Sequence, residues 1–235
     1  MKATAIHTPV FKEGEDLPAF IAGHIPSVKE RTVVAVSSKL TGLWKKCTVA
    51  YKNAAQKEKL IIEESQAALK TKLAWLTVKN GMIMTNSGID ESNANGKLIL
   101  LPQDCYVVAG ELRTALRALW NVQNLGIIIT DSMILPLRAG VVGAAVGYAG
   151  FRGVKDLRGK EDLCGRKLKT TLVDLADALA STATVLMGEA NEQRPLCVIE
   201  EAPVEFAEEI NPQELKYPPE DDLYGPLLKA VKLIQ

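Results

Sequence analysis

Gly126-Ile127-Ile128-Ile129-Thr130-Asp131-Ser132 is the most strand-like run in the chain. Successive β-branched residues suit a pleated, buried surface, and nothing polar interrupts them. The run closes on an acid and a hydroxyl at a strand terminus, the place where sites in sheets flanked by helices tend to sit. A second run of the same kind, Thr32-Val33-Val34-Ala35-Val36-Ser37-Ser38, reads as another buried strand.

Working outward, Leu73–Lys79 and Met82–Thr85 flank Asn80-Gly81, a strong hairpin dipeptide. The loop Asn86-Ser87-Gly88-Ile89-Asp90-Glu91-Ser92-Asn93 follows at once, rich in acids, amides and hydroxyls. It cannot bury itself, because each polar group would need a partner. Oxygen-rich loops suit hard cations and phosphates, yet the same residues are ordinary turn formers. The loop alone leaves both readings open.

Residues 53–70 read as an amphipathic helix capped by Asn53, residues 111–122 as a second helix, and residues 171–187 as a third with an apolar stripe. Gly188 stops the third helix and Glu189 follows, a carboxylate at the end where the helix dipole favours cations. Lys97–Leu101 and Leu196–Ile199 are short strands. Residues 140–150 are full of small side chains, but Gly143, Gly147 and Gly150 do not fit a dinucleotide fingerprint or a P-loop. They read as a strand that lets a neighbour approach closely. Residues 156–169 form a charged, glycine-punctuated segment: either an exposed loop or, through Arg158 and Arg166, a contact for an anionic ligand. Residues 211–222 are rich in Pro and acids and read as a surface excursion, before a closing helix over 223–235.

The bulk composition excludes several classes. Lys plus Arg equals Asp plus Glu at 28 each, so the formal net charge is zero, against a dedicated nucleic-acid binder. No apolar run is long enough for a membrane span, and the first residues carry no signal-like core. Four cysteines lie far apart and read as reduced thiols of a cytoplasmic protein. With only His7 and His24, a His-based zinc site or a Ser-His-Asp triad is nearly excluded. Catalysis must then run on carboxylates, hydroxyls, lysines, arginines or a bound metal.

Three pieces taken together, Gly88-Ile89-Asp90-Glu91-Ser92-Asn93, Ile129-Thr130-Asp131-Ser132 and Leu186-Met187-Gly188-Glu189, resemble the coenzyme F-420-0:L-glutamate ligase family. Asp156-Leu157-Arg158-Gly159 through Leu168 and the alanine-rich stretch entered by Asp174-Leu175-Ala176-Asp177 extend the similarity, which runs from about Val33 to Ile199. The resemblance implies GTP (or ATP) as co-substrate beside two Mg²⁺ or Mn²⁺ ions, with Asp90, Asp131, Ser132 and Glu189 as the metal ligands. Asp90, Asp131 and Glu189 are the expected catalytic residues. It implies an acceptor carboxylate attacking the γ-phosphate, then glutamate capturing the acyl phosphate. It also implies a homodimer.

The departures concern the acceptor. After the Thr-Asp motif the family's Gly-Arg-Pro-x-Arg becomes Ile134-Leu135-Pro136-Leu137-Arg138, losing the first Gly-Arg and keeping Arg138. The family's early Ser-Lys-x-Glu-Gly-Arg, placed without gaps, falls on Gly42-Leu43-Trp44-Lys45-Lys46-Cys47, where its Lys, Glu and Arg are gone. Asn93-Ala94-Asn95-Gly96 and Glu192-Gln193-Arg194-Pro195-Leu196 resemble a branch associated with folates.

The resulting expectation is an α+β protein with mixed, largely antiparallel sheets and helices in two intimately joined lobes. Residues 1–205 form the ligase-like unit and 206–235 an acidic, Pro-containing segment with a C-terminal helix. The expected function is a cytoplasmic γ-glutamate ligase that joins L-glutamate to a folate-type acceptor. Asn86, Ser87, Gly88, Arg138, Arg158, Arg166, Trp44, Lys45 and Lys46 are the expected nucleotide- and substrate-binding residues, with Trp44 stacking on a pterin. The alternatives are a coenzyme F-420-0 (deazaflavin) ligase and a non-catalytic nucleotide-binding relative whose acceptor site has decayed.

Overall fold

The isoleucine run lies at the centre of the main sheet, in a computed structural model that describes residues 1–92, 94 and 96–234. In chain order the elements are β1 (Lys2–Ile6), α1 (Leu17–His24), β2 (Thr32–Ser37), α2 (Ser38–Trp44), β3 (Thr48–Ala50), α3 (Ala54–Glu63), β4 (Ala67–Lys70), β5 (Trp75–Lys79) and β6 (Met82–Thr85). They continue with β7 (Lys97–Ile99), α4 (Cys105–Trp120), β8 (Leu125–Met133), β9 (Val142–Ala149), β10 (Val154–Asp156), β11 (Leu172–Asp174), α5 (Leu175–Met187), β12 (Leu196–Glu200) and α6 (Gly225–Ala230).

Five strands form the main sheet in the order β1-β12-β2-β8-β9. β2 and β8 run parallel; the other neighbouring pairs are antiparallel. The smaller sheets are antiparallel too, so the α+β expectation of mixed, largely antiparallel sheets holds.

Alternation along the two central strands builds a core on each face. Val34, Val36, Ile127 and Ile129 join α1 and α4 on one side. Val33, Ala35 and Ile128 join α5 on the other. Both faces are covered, which is why these strands read as unbroken apolar runs. The glycines of β9 serve close approach, as expected. A Cβ at Gly143 would lie 2.5 Å from Ala180 O in α5, and one at Gly147 would lie 2.5 Å from Cys105 O in α4. The register shifts between Ile129 and Thr130, where β9 carries the extra residue Val146.

The Asn80-Gly81 hairpin forms as expected, with φ of 53° and 73°, the two left-handed values that a tight hairpin turn requires. Several boundaries differ from expectation. The helix expected over 53–70 ends at Glu63, and Ala67–Lys70 pairs with Trp75–Val78 as a strand. The helix expected over 171–187 starts at Leu175, because Leu172–Asp174 pairs with Val154–Asp156 and the Asp174 carboxylate caps Asp177 N. The helix expected from Glu111 begins earlier, at Cys105, because Asp104 accepts from the N–H groups of Tyr106 and Val107. Only Gly225–Ala230 of the closing helix forms. Among the described residues no helix is long and apolar enough to cross a membrane.

The chain beyond β12 is tied back to the sheet by charge. Arg113 is nearly buried; its Nε donates to Leu125 O, and its Nη1 and Nη2 donate to Glu208 at 2.9 and 3.1 Å. Arg117 adds a third bond to the same carboxylate. The Arg113 hydrogen bonds are the largest influence on Glu208 and hold its pKa down at about 2, against an ordinary 4.5. A depressed carboxylate pKa contributes stability above the unfolded value and loses it as pH falls through the folded one. Glu208→Gln is therefore expected to cost about 1 kcal/mol at pH 7, a figure kept low because Glu208 is largely exposed. In urea titrations that difference should shrink between pH 4.5 and pH 2; an undiminished difference at pH 2 would remove the ion pair as its cause.

Candidate functional site

β2 ends at Ser37 opposite Thr130, while β8 continues to Met133 against β9, so Ser38 at the start of α2 comes level with Asp131 of β8. Ser38 Oγ donates to Asp131 Oδ1 at 3.0 Å. Lys39, the next residue of α2, places Nζ 2.6 Å from Asp90 Oδ2. Asp90 is held by backbone bonds to Ile99, and its Oδ1 accepts from Ser92 N. Thus Asp90, Asp131, Ser38 and Lys39 share one neighbourhood.

Their electrostatics differ. Burial is the largest influence on Asp131 and pushes its carboxyl up to about 6, against the lowering effects of Ser38, Lys39 and the Ser132 N–H. Nearby Asp90 pushes the same way as burial. For Asp90, burial also opposes the charge, but the Lys39 charge and hydrogen bond, with those of Ser92, more than offset it and hold the pKa below the ordinary carboxylate value.

Asn86, Ser87 and Gly88 build the turn that carries Asp90. All three have positive φ, 52°, 55° and 67°. Asn86 Oδ1 accepts from Trp75 N, and Ser87 N donates to Thr77 Oγ1 at 2.8 Å. Ser87 is fully buried, its hydroxyl bonded to Ile61 O and Ser65. These two side chains hold the turn and are spent on the protein itself. Gly88 is required by space as well as conformation: a Cβ there would lie 2.5 Å from Leu101 Cδ1 and 3.2 Å from Asp131 Oδ2. Asn93, the last residue of this loop, and Asn95, of the folate-like motif, lie outside the described residues.

Ser132 and Glu189 pair with each other instead. Ser132 Oγ lies 3.0 and 2.8 Å from the two Glu189 oxygens. Consecutive strand residues point to opposite faces, and the contacts agree: Asp131 turns toward α2, Ser132 toward the end of α5. Among the described residues no group of three His, Cys, Asp or Glu gathers as one ligand set.

A cavity of about 900 Å³ adjoins this neighbourhood through Thr85, Leu101 and Met133. Its walls come from the β5–β6 hairpin, the start of α4, the β8–β9 hairpin and residues 212–228. Arg138 lines it. So does Asp177, whose carboxyl accepts from Ala145 N and is pushed to about 7 by burial and by the charge of Asp174.

Other expected site residues stand elsewhere. Arg158 is exposed and pairs with Asp156 of its own arm, Nη2 to Oδ2 at 2.6 Å. Arg166 is exposed on the same arm. Trp44 is partly buried against the core, and Lys45 sits 3.9 Å over its ring while pairing with Glu111. Lys46 is exposed, with φ of 56°. None of these residues lines the cavity.

The reading of the early motif is corrected. Ser38-Lys39-Leu40-Thr41-Gly42-Leu43 carries Ser, Lys and Gly at the family spacing, four residues before the ungapped placement. The lysine is kept as Lys39; Glu and Arg are replaced by Thr41 and Leu43. Ser38 and Lys39 stand directly after the strand β2. The available signal was Ser-Lys directly after a buried strand.

A model of the F420-0:gamma-glutamyl ligase family matches residues 5–201. Among curated proteins, the chain is 41% identical over 149 residues to the coenzyme F420:L-glutamate ligase of Methanococcus maripaludis strain C7, covering 63% of this chain and 60% of that protein. It is 48% identical over 122 residues to the protein of the same description from Methanopyrus kandleri, covering 52% and 48%. Against that of Archaeoglobus fulgidus it is 33% identical over 209 residues, covering 81% and 83%. The chain thus spans about half to two thirds of the length of several curated relatives that it matches.

The raised pKa of Asp131 means that the fold binds its proton more tightly than the unfolded chain does. Its ionised form weakens the fold increasingly from pH 3.8 to about 6, and constantly above. With EDTA present, Asp131→Asn is expected to be more stable than wild type by about 1–2 kcal/mol at pH 7.5. It should show no advantage at pH 3.5. Chemical denaturation at the two pH values checks both signs.

Proposed function

Because the chain belongs to the F420-0:gamma-glutamyl ligase family, we propose that it is a nucleoside triphosphate-dependent ligase that forms a γ-glutamyl amide. Its acceptor is of the coenzyme F420 type, which the relatives' descriptions favour over a folate. The observation that carries this reading is the convergence of Asp90, Asp131, Ser38 and Lys39 from three distant stretches, beside residues Leu101 and Met133 that line a ligand-sized cavity.

The donor set fits a hard divalent cation. Asp131 is an enclosed carboxylate whose charge is poorly compensated, and Asp90 stands beside it. Magnesium commonly takes one or two carboxylates and completes its shell with water and substrate phosphates, so a third protein carboxylate is not required. Asp90 and Asp131 would hold such an ion, with Ser132 and Glu189 available for a second. When bound, the metal supplies charge neutralisation to GTP or ATP.

The chain's own residues do the rest. Lys39 balances the two acids and presents a cation at the same point. Gly88 and Leu101 shape the wall between the acids and the cavity. The acceptor carboxylate attacks the γ-phosphorus and the nucleoside diphosphate departs. The glutamate amine then attacks the acyl carbon, loses a proton and expels phosphate. Holding the reactants in line is the main catalytic task.

The test is incubation with L-glutamate, Mg²⁺, GTP or ATP, and panels of deazaflavin and folate acceptors, with mass spectrometry of the products. The expected result is glutamyl addition to a deazaflavin acceptor. Asp90→Asn, Asp131→Asn and Lys39→Met should each lower turnover at least about 100-fold. Nucleotide binding without any glutamyl product would favour the non-catalytic reading, and addition to folate alone would restore that acceptor.

A further inference from the structure

The matched family stretch ends at residue 201, yet one wall of the cavity comes from residues 212–228. That segment is anchored at its base. Glu214 accepts from the hydroxyl of fully buried Tyr148 and from Gly153 N at 2.7 Å. Beyond this anchor the chain crosses the cavity, held chiefly by its own turn, in which Asp221 N and Asp222 N donate to Pro218 O.

Its side chains do not pack as a core does. Tyr217 and Tyr224 are 56% and 48% exposed, and both line the cavity with Leu228. On its other side, a second void of about 420 Å³ separates the segment from Val78 and Ile83 of the β5–β6 hairpin. Open pockets of several hundred Å³ lined by aromatic and apolar groups are common ligand sites.

The opposite wall is also suited to a ring. Met82, Met84 and Trp75 come from the β5–β6 hairpin and Tyr106 from the start of α4. Thioether and aromatic groups pack well on flat π-systems. The cavity lining carries three cations and three acids, and Asp177 and Asp222 accept from Ala145 N and Tyr224 N. Lys79 is paired with Glu64, and Asp104 is spent on its helix cap. Arg138 and Lys216 have no carboxylate partner among the described residues.

We infer that residues 212–228 are the specificity-determining wall of the acceptor pocket, with Tyr217 and Tyr224 facing the flat heteroaromatic end of the acceptor and Arg138 and Lys216 meeting its anionic tail. This rests on the ligase reading above and deepens it. Leu101, in the pocket wall, also lies against Gly88 beside Asp131, so the acids stand next to that wall. The rings set which acceptor fits; the acids and Lys39 serve the chemistry.

The experiment titrates a 5-deazaflavin 5′-phosphate, FMN and folate against the full chain, following tryptophan fluorescence, with Mg²⁺·GTP binding measured in parallel by calorimetry. The variants are Tyr217→Ala with Tyr224→Ala, and Glu214→Gln to release the anchor. Because both tyrosines are half-exposed, the double variant should keep the wild-type melting temperature; if it does not, Tyr224→Leu alone decides the same way. Deazaflavin affinity is expected to fall at least about tenfold in the double variant, with Mg²⁺·GTP affinity unchanged. Unchanged deazaflavin affinity would overturn the wall while leaving the ligase reading intact. Wild type that binds folate but no deazaflavin, with that binding lost in the double variant, would keep the wall and overturn the acceptor. Wild type that binds none of the three ring compounds would overturn the pocket.

Discussion

The parallel pairing of β2 with β8 is the constraint on which the other elements depend. It joins two strands whose residues are buried on both faces, and parallel strands must be linked by a long crossover. Here that crossover is the whole segment from Ser38 to Asn124, containing two of the small sheets, the Asp90 loop and α4. The same pairing sets the end of β2 level with Thr130 of β8. Ser38 and Asp131 meet because of it, although 93 residues separate them. An antiparallel pairing of these two strands would send their C-terminal ends to opposite edges and dissolve the neighbourhood.

At that edge stability and function pull apart. Asp131 is enclosed where its charge is disfavoured, with one hydroxyl on Oδ1 and a lysine whose closest contact is the neighbouring acid. A fold selected for stability alone would place a neutral side chain there. The arrangement makes sense if positive charge arrives from outside. Local conflicts of this kind point to sites more often than to errors of design.

Much of this was legible in the sequence, for reasons that differ by element. The strands β2 and β8 announce themselves because burial on both faces leaves no polar residue to blur the pattern. Asn80-Gly81 specifies its own turn. Asp90 and Asp131 were found because each closes an apolar stretch within a short motif that resembles the family's. Boundaries were less legible where two periods coincide. Ala67–Lys70 extends the pattern of α3 but satisfies its backbone against β5, and Leu172–Asp174 does the same ahead of α5. Lys39 carries only a weak local signal, Ser-Lys directly after a buried strand; the long-range contact with Asp90 is what distinguishes it. The separation of Ser132 from Asp131 was readable in principle, since adjacent strand residues face opposite ways. The cavity wall at residues 212–228 was not, because a Pro- and acid-rich stretch looks the same whether it hangs in solvent or crosses a pocket.

The left-handed turn at Asn86–Gly88 bears on how the molecule comes together in time. Three successive residues at positive φ are disfavoured when isolated, so the turn has little structure to offer a chain that is still unfolded. It is held by Thr77 from β5 and by the Ile61 carbonyl of α3, contacts 10 and 26 residues distant in sequence. Both partners must already be in place before the turn can close. Asp90 is therefore delivered to Asp131 late on the folding route, after the hairpin and α3 have docked. Contacts made that late belong to the native side of the barrier, where they govern the rate of unfolding more than the rate of folding. For this chain, the bend that carries Asp90 is expected to form late and so to influence unfolding more than folding.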